Sequence, residues 1–101
     1  MSRAYAAFTE TGLALAEKLA HSLPGPVTRC GHGGPSLAEW TAAAFAQNEA
    51  LIFVGAVGIA VRAIAPLCRS KASDPAVVVV DECGHFAVPL LSGHLGGAND
   101  L

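Results

Sequence analysis

The chain has 101 residues, 52% of them hydrophobic, and a formal charge of -2 from six basic and eight acidic residues. This length allows one small domain with a core and is too short for two. No Lys/Arg cluster or apolar run is long enough to indicate nucleic-acid binding, a membrane surface or a membrane span. Three cysteines without C-x-x-C spacing argue against a disulfide framework and a structural zinc site. We therefore expect a cytoplasmic protein with free thiols.

The chain begins with segments that alternate between strand and helix patterns. The apolar run Ala4–Phe8 predicts a first strand. Apolar residues at helical spacing predict a helix over Leu13–Leu23, with Thr9 or Thr11 as its cap. Pro24-Gly25-Pro26 stops that helix because proline and glycine do not continue it.

A second strand–helix unit follows. Val27–Cys30 is a weak strand candidate, and a glycine-rich loop comes after it. Ser36 and Glu39 have the spacing of a capping box, in which each side chain bonds the other residue's backbone N–H. This pattern predicts a helix over Leu37–Asn48.

The next segments are strongly apolar. Ala50–Val54 (ALIFV) and Ala76–Val80 (AVVVV) are continuous apolar runs, as expected of strands buried on both faces. Between them, Ile59–Cys68 reads as a third helix, which Pro66 kinks or closes.

The last predicted elements are a hairpin and a helix. His85–Leu91 (HFAVPLL) is a possible fifth strand, and only a short turn separates it from its predecessor. The two therefore form an antiparallel hairpin, with Pro89 placing the last strand at an edge of the sheet. Ser92–Gly97 then opens a fourth helix, and because the chain stops there we expect one domain of a longer protein.

The order of these elements predicts the fold class. Strands that alternate with helices form a mainly parallel sheet with helices on both faces. We therefore expect a three-layer α/β domain of about five strands, in which the last two are a possible antiparallel hairpin.

The turn Gly55-Ala56-Val57-Gly58 joins a buried strand to a helix. Glycines there let a ligand approach the backbone, and free N–H groups at a helix start favour an anion. Arg62, about one turn further on, adds a charged donor. The alternative is that Gly55 and Gly58 only allow tight strand–helix packing, and the sequence alone leaves both open.

The second glycine-rich turn, Ser92-Gly93-His94-Leu95-Gly96-Gly97, is the other candidate for chemistry. His94 suits a general base or acid near neutral pH, or a helix-start residue without chemistry. Ser92 is a nucleophile only with a base in reach, and the alternative is a helix cap. Asn99 adds a polar group. We expect this turn and the Gly55–Gly58 turn to lie at one edge of the sheet.

The remaining polar candidates favour structural roles. Asp81 and Glu82 follow a buried strand, where carboxylates serve acid–base chemistry or simply form a turn, and the turn is the preferred interpretation. His32 lies in a glycine-rich loop. The four His and three Cys show no metal-ligand spacing, so no metal site is predicted.

The second half of the chain resembles the N-terminal region of the CbiG family of anaerobic cobalamin biosynthesis. The resemblance covers ALIFVGAVGIAVRAIAPL and KASDPAVVVVDECGHFAVPLLSGHLGGAND, from about Ala50 to Leu101. The resemblance implies hydrolysis of the δ-lactone of cobalt-precorrin-5A to cobalt-precorrin-5B, with release of acetaldehyde. It also implies a cobalt-corrinoid substrate, which itself supplies the cobalt, so no separate cofactor is expected. Further domains of the enzyme would be this chain's partners.

With that chemistry, the glycine-rich turns acquire roles. His94, with Ser92 as the neighbouring hydroxyl, is the expected catalytic residue, and backbone N–H groups near Gly96 and Gly97 are the expected oxyanion donors. Gly55, Gly58, Arg62 and Asn99 are expected to bind the carboxylates of the corrinoid.

Two other functions stay open at this point. The domain could be a non-catalytic module that grips the corrinoid or docks onto the rest of the enzyme. It could also bind a phosphate or nucleotide, an interpretation that rests on the Gly55–Gly58 turn alone.

Overall fold

The computed structural model describes residues 2–92 as a five-stranded sheet with three α-helices. The strands are β1 (Arg3–Ala7), β2 (Val27–Arg29), β3 (Ala50–Val54), β4 (Ala76–Val80) and β5 (Ala87–Ser92). The helices are α1 (Glu10–Ser22), α2 (Leu37–Gln47) and α3 (Val57–Ile64), and a 3₁₀ turn, Ala65–Leu67, extends α3.

The sheet has the order β2-β1-β3-β4-β5. The first four strands are parallel, whereas β5 pairs antiparallel with β4. The predicted mainly parallel sheet with a terminal hairpin is therefore confirmed. Pro89 lies on the edge strand, where a register shift opposite Val77 and Val78 accommodates a residue that has no N–H for the ladder.

The core lies on both faces of the sheet. On one face, Tyr5, Ile52 and Val54 pack against Ala16 of α1. On the other, Phe53 and its neighbours pack against Ala44 of α2 and helix α3. The predicted three layers are confirmed, because alternate residues of each strand point to opposite faces.

Helix boundaries differ from the predicted ones at the starts of α1 and α3. α1 begins at Glu10 because the Thr9 side chain accepts a hydrogen bond from the Gly12 N–H at 3.0 Å. α3 begins at Val57, two residues before the predicted start, and its α-helical part ends at Ile64. Pro66 lies in the 3₁₀ turn that follows, so the proline closes the helix rather than kinking it.

The hairpin between β4 and β5 is wider than predicted, because β5 starts at Ala87 rather than His85. Gly84 has a φ of 73°, a left-handed conformation that glycine adopts without steric cost. The Gly84 N–H donates to the Asp81 carbonyl at 2.8 Å, and the Asp81 N–H donates to the Phe86 carbonyl at 3.1 Å. These bonds hold residues 81–86 in the turn.

Candidate functional site at the carboxyl edge of the sheet

The carboxyl ends of β1 and β3 form the topological switch point of the sheet. From β1 the chain passes to β2 on one side, and from β3 it passes to β4 on the other. In open α/β sheets, ligands bind in the crevice where neighbouring connections diverge in this way. The residues at this crevice are Phe8 and Thr9 after β1, and the Gly55–Gly58 turn after β3.

Gly55 has a packing role at this edge. A Cβ atom added there would lie 3.0 Å and 3.2 Å from two ring atoms of Phe8. The Gly55 N–H also continues the sheet ladder by donating to the Val80 carbonyl at 3.0 Å. For Gly55 the contacts therefore support the packing interpretation.

Gly58 differs, because it is exposed and no described atom lies within 4 Å of a Cβ built on it. Glycine in a helix costs roughly 0.5–1 kcal/mol relative to alanine. Among the described residues, no packing contact explains why glycine stands at position 58 in place of a residue that favours the helix. The packing interpretation therefore has no support at Gly58, and ligand approach stays a prediction there.

The start of α3 suits an anion better than the starts of the other two described helices. Thr9 caps α1 and Ser36 caps α2 with a capping box, as predicted, and each helix has an acidic residue in its first turn. Ala56 precedes α3 without a side-chain cap, and the first turn of α3 has no acidic residue. The first N–H groups of a helix lack intrahelical partners, so those of α3 stay available to a negative group.

Arg62 lies one turn after Gly58 on α3, and its side chain is exposed. Within residues 2–92 it forms neither an ion pair nor a hydrogen bond with a side chain. The structure therefore leaves its guanidinium available to an acidic ligand. It also places Arg62 on a groove between α2 and α3.

Glu82 contributes a contact that the sequence interpretation as a turn residue missed. The Thr9 hydroxyl donates to Glu82 Oε1 at 2.9 Å, which links the β4–β5 turn to the start of α1. Asp81 does have the predicted turn role, since its carboxylate accepts the His85 N–H at 3.3 Å. The sequence did carry a signal for this contact. Thr9 and Glu82 each follow a strand predicted to be parallel in one sheet, so both are expected at the same edge of that sheet.

His32 lies in the loop after β2, where it is exposed and has a φ of 48°. Gly31 and Gly33 beside it also have positive φ, at 78° and 88°. The loop position matches the prediction for His32.

Ser92 lies at the other end of the sheet from Gly55. It pairs with Ala76, which in turn pairs with Ala50, the first residue of β3. The four residue steps from Ala50 to Val54 correspond to about 13 Å along the strand. The expectation of one shared edge is therefore wrong for Ser92, because an antiparallel strand ends where its parallel neighbours begin. His94, Gly96, Gly97 and Asn99 lie outside the described residues and stay predictions.

The cysteines differ in their surroundings. Burial raises the pKa of the Cys30 thiol. Burial and, to a smaller degree, the Asp74 carboxylate raise the pKa of Cys68.

Among residues 2–92 no group of His, Cys, Asp and Glu is arranged to hold a metal ion, and no helix there is long and apolar enough to cross a membrane.

Comparison with known proteins decides the family. A family model described as Cobalamin synthesis G N-terminal (CbiG_N) matches residues 39–101, which are 63 of the 101 residues. The chain belongs to this family. The CbiG match begins before the resemblance recognised in the sequence, and it includes both glycine-rich turns.

Curated relatives agree with the family. The chain is 64% identical over 58 residues to the cobalt-precorrin-5A hydrolase of Salmonella typhimurium strain LT2, covering 57% of this chain and 16% of that enzyme. It is 47% identical over 57 residues to the enzyme of the same name from Priestia megaterium, covering 56% of this chain and 15% of that enzyme. The chain thus spans less than a fifth of the length of either relative.

A solved structure extends the likeness to the whole fold. A cobalamin biosynthesis protein G homologue from Sulfolobus solfataricus superposes with a TM-score of 0.79 at 27% identity. The superposition covers 98% of this chain and 31% of the homologue. The first half of this chain therefore has the same architecture as a CbiG relative.

Proposed function

We propose that this chain is the corrinoid-binding N-terminal part of a cobalt-precorrin-5A hydrolase of the anaerobic cobalamin pathway. The observation that supports it best is the 64% identity to the Salmonella enzyme over 58 residues. The reaction is the opening of the substrate's δ-lactone, with release of acetaldehyde, to give cobalt-precorrin-5B. Cobalt enters with the substrate, and the reaction takes place in the cytoplasm.

The carboxyl edge of the sheet supplies the binding part of this proposal. A corrinoid carries acetate and propionate carboxylates around its rim. The uncapped start of α3 at Val57 and Gly58 offers backbone N–H donors to one of them, and Arg62 offers a guanidinium to another. Charge-assisted hydrogen bonds of this kind are about twice as strong as neutral ones.

Lactone opening needs an activated water and donors for the oxyanion. His94 takes a proton from the water as it adds to the lactone carbonyl, and N–H groups of Gly96 and Gly97 hold the oxyanion. The oxyanion then re-forms the carbonyl, the ring C–O bond breaks, and the departing oxygen takes the proton back from His94 to give a free alcohol. The freed alcohol leaves as acetaldehyde when its carbon–carbon bond to the macrocycle breaks, and the macrocycle keeps the electron pair and takes a proton. Asn99 orients the substrate, and Ser92 offers a hydroxyl beside His94.

The proposal is tested in a chimera in which this chain replaces the corresponding segment of the Salmonella enzyme. We expect the chimera to release acetaldehyde from cobalt-precorrin-5A. The variant His94→Ala lowers kcat about 100-fold or more, the usual effect of losing a general base, while the melting temperature stays unchanged.

The matched control is His85→Ala, because His85 is an exposed histidine in the β4–β5 turn. It leaves kcat within about twofold of the parent, as expected of a surface substitution. A folded chimera that binds the substrate without releasing acetaldehyde contradicts the proposed activity. Unchanged turnover of the His94→Ala variant contradicts the base role alone.

A further inference from the structure

A groove of about 490 Å³ lies between the start of α2 and the outer face of α3. Volumes of this size are typical of small-molecule sites. Its lining is apolar except for one guanidinium. The lining residues are Leu37, Ala38, Ile59, Arg62, Ala63, Pro66 and Leu67.

The groove follows from the helical period of α3 and its extension. Ile59, Arg62, Ala63 and Pro66 recur at the spacing i, i+3, i+4, i+7, which places them on one face of a helix. Ala63 and, across the groove, Leu37 of α2 are half-buried and pack against the core. The walls therefore rest on packed elements rather than on loops.

The charge of the groove selects the ligand. Arg62 is the one charged residue of the lining, and no described acidic side chain forms an ion pair with it. An apolar cleft with a single unpaired cation is complementary to an apolar group that carries a carboxylate. An uncharged apolar ligand leaves the guanidinium without a partner.

We infer that this groove binds one edge of the corrin macrocycle, with methyl groups against Ile59 and Leu37 and a carboxylate arm on Arg62. The inference rests on the proposed function. The groove is too small for the whole macrocycle with its arms, so it takes one edge. Arg62 is four residues beyond Gly58, about 6 Å along the helix axis, so the groove continues the binding surface that starts at the carboxyl edge.

The test is a visible-absorbance titration of the 101-residue chain with cobyrinic acid, a cobalt corrin whose arms are free carboxylates. Arg62→Gln removes the cation, and Ala38→Trp fills the groove from an exposed position of α2. Each is expected to weaken binding about tenfold or more, the usual effect of losing a charge-assisted hydrogen bond or its access. Cobinamide, the corresponding corrin with amidated arms, is expected to bind the parent chain more weakly than cobyrinic acid does. Its affinity for the Arg62→Gln variant is expected to equal its affinity for the parent chain.

The matched controls are Lys71→Gln, which removes an exposed cation outside the groove, and Ala43→Trp, which adds a tryptophan to another exposed face of α2. Both leave the dissociation constant within about twofold. Equal weakening by the controls and the groove variants overturns the inference. So does the absence of a saturable shift with cobyrinic acid, or decanoate binding at this site as tightly as the corrin.

The same variants in the Salmonella chimera separate this inference from the proposed function. We expect Arg62→Gln and Ala38→Trp to raise KM for cobalt-precorrin-5A and to leave kcat unchanged, because they act on binding. If KM is unchanged in these variants and acetaldehyde is still released, the inferred role of the groove is wrong while the proposed function stands. A folded parent chimera that releases no acetaldehyde contradicts the proposed function itself.

Discussion

The two glycines of the turn after β3 differ in what surrounds them. Gly55 lies under the ring of Phe8, whereas Gly58 has no described neighbour within 4 Å of an added Cβ. From the sequence the two are indistinguishable, because a glycine pattern records neither the packed ring nor the open space. The structure thus supports packing as the role of Gly55 and shows open space at Gly58, where ligand approach stays a prediction.

This difference predicts opposite effects of alanine on the free energy of unfolding. Gly58→Ala is expected to stabilise the chain by about 0.4–1 kcal/mol, since alanine favours the helix and meets no described atom. Gly55→Ala is expected to destabilise it by about 1–3 kcal/mol, because the Phe8 ring must shift. Urea denaturation measures both. Equal changes for the two variants would contradict the assigned roles.

Burial also separates the cysteines. Cys30 is buried, whereas Cys68 and Cys83 are exposed, so the folded chain shields the Cys30 sulfur from reagents in solution. Iodoacetamide at pH 8 is therefore expected to label Cys30 much more slowly than the other two, as read by peptide mass spectrometry. The difference should vanish in urea. Equally fast labelling of Cys30 in the folded chain contradicts its placement in the core.

At the scale of elements, the sequence predicts the two buried strands β3 and β4 better than the starts of α1 and α3. The bounds of β3 and β4 are those predicted, because each is a continuous apolar run between polar or glycine-containing segments. The start of α3 was predicted two residues late. Gly58 and the β-branched Val57 are weak helix formers, so the sequence pattern did not show that the helix starts with them.

The capping box predicted at the start of α2 is present in the structure. Ser36 accepts the Glu39 N–H at 3.2 Å, and the Glu39 carboxylate accepts the Ser36 N–H at 3.3 Å. Ser36→Ala is expected to cost about 1 kcal/mol in thermal or urea unfolding. Ser22→Ala, at the exposed end of α1, is the control and should change stability by less than about 0.5 kcal/mol. Equal changes in stability for Ser36→Ala and Ser22→Ala would contradict the capping role of Ser36.

At the scale of the molecule, the direction of β5 places Ser92 at the opposite end of the sheet from Gly55. The hairpin is predictable from the short turn between its strands, and its direction already implies that Ser92 ends at the amino edge. The expectation of one shared edge is wrong for Ser92, because it considered the turn as a motif and not as the end of a strand that runs opposite to its neighbours.

Phe53 is a large, fully buried residue of the core on the α2 face. Its ring meets the Trp40 ring edge to face at a centroid distance of 5.5 Å. Phe53→Ala is expected to cost about 3–5 kcal/mol, a large part of the stability of so small a domain. Phe86→Ala makes the same truncation at a residue that is 64% exposed and should change the free energy of unfolding by less than about 0.5 kcal/mol. Similar losses contradict the core assignment.

The proposed function depends on corrinoid binding at the carboxyl edge of the sheet and at the adjoining face of α3. Amide chemical-shift mapping of the ¹⁵N-labelled chain with diamagnetic cobalt(III) cobyrinic acid tests it most directly. We expect saturable shifts that gather at residues 55–63 and at Leu37 and Ala38. Shifts confined to the Ser92 end of β5 or to α1, or no shifts at all, contradict it.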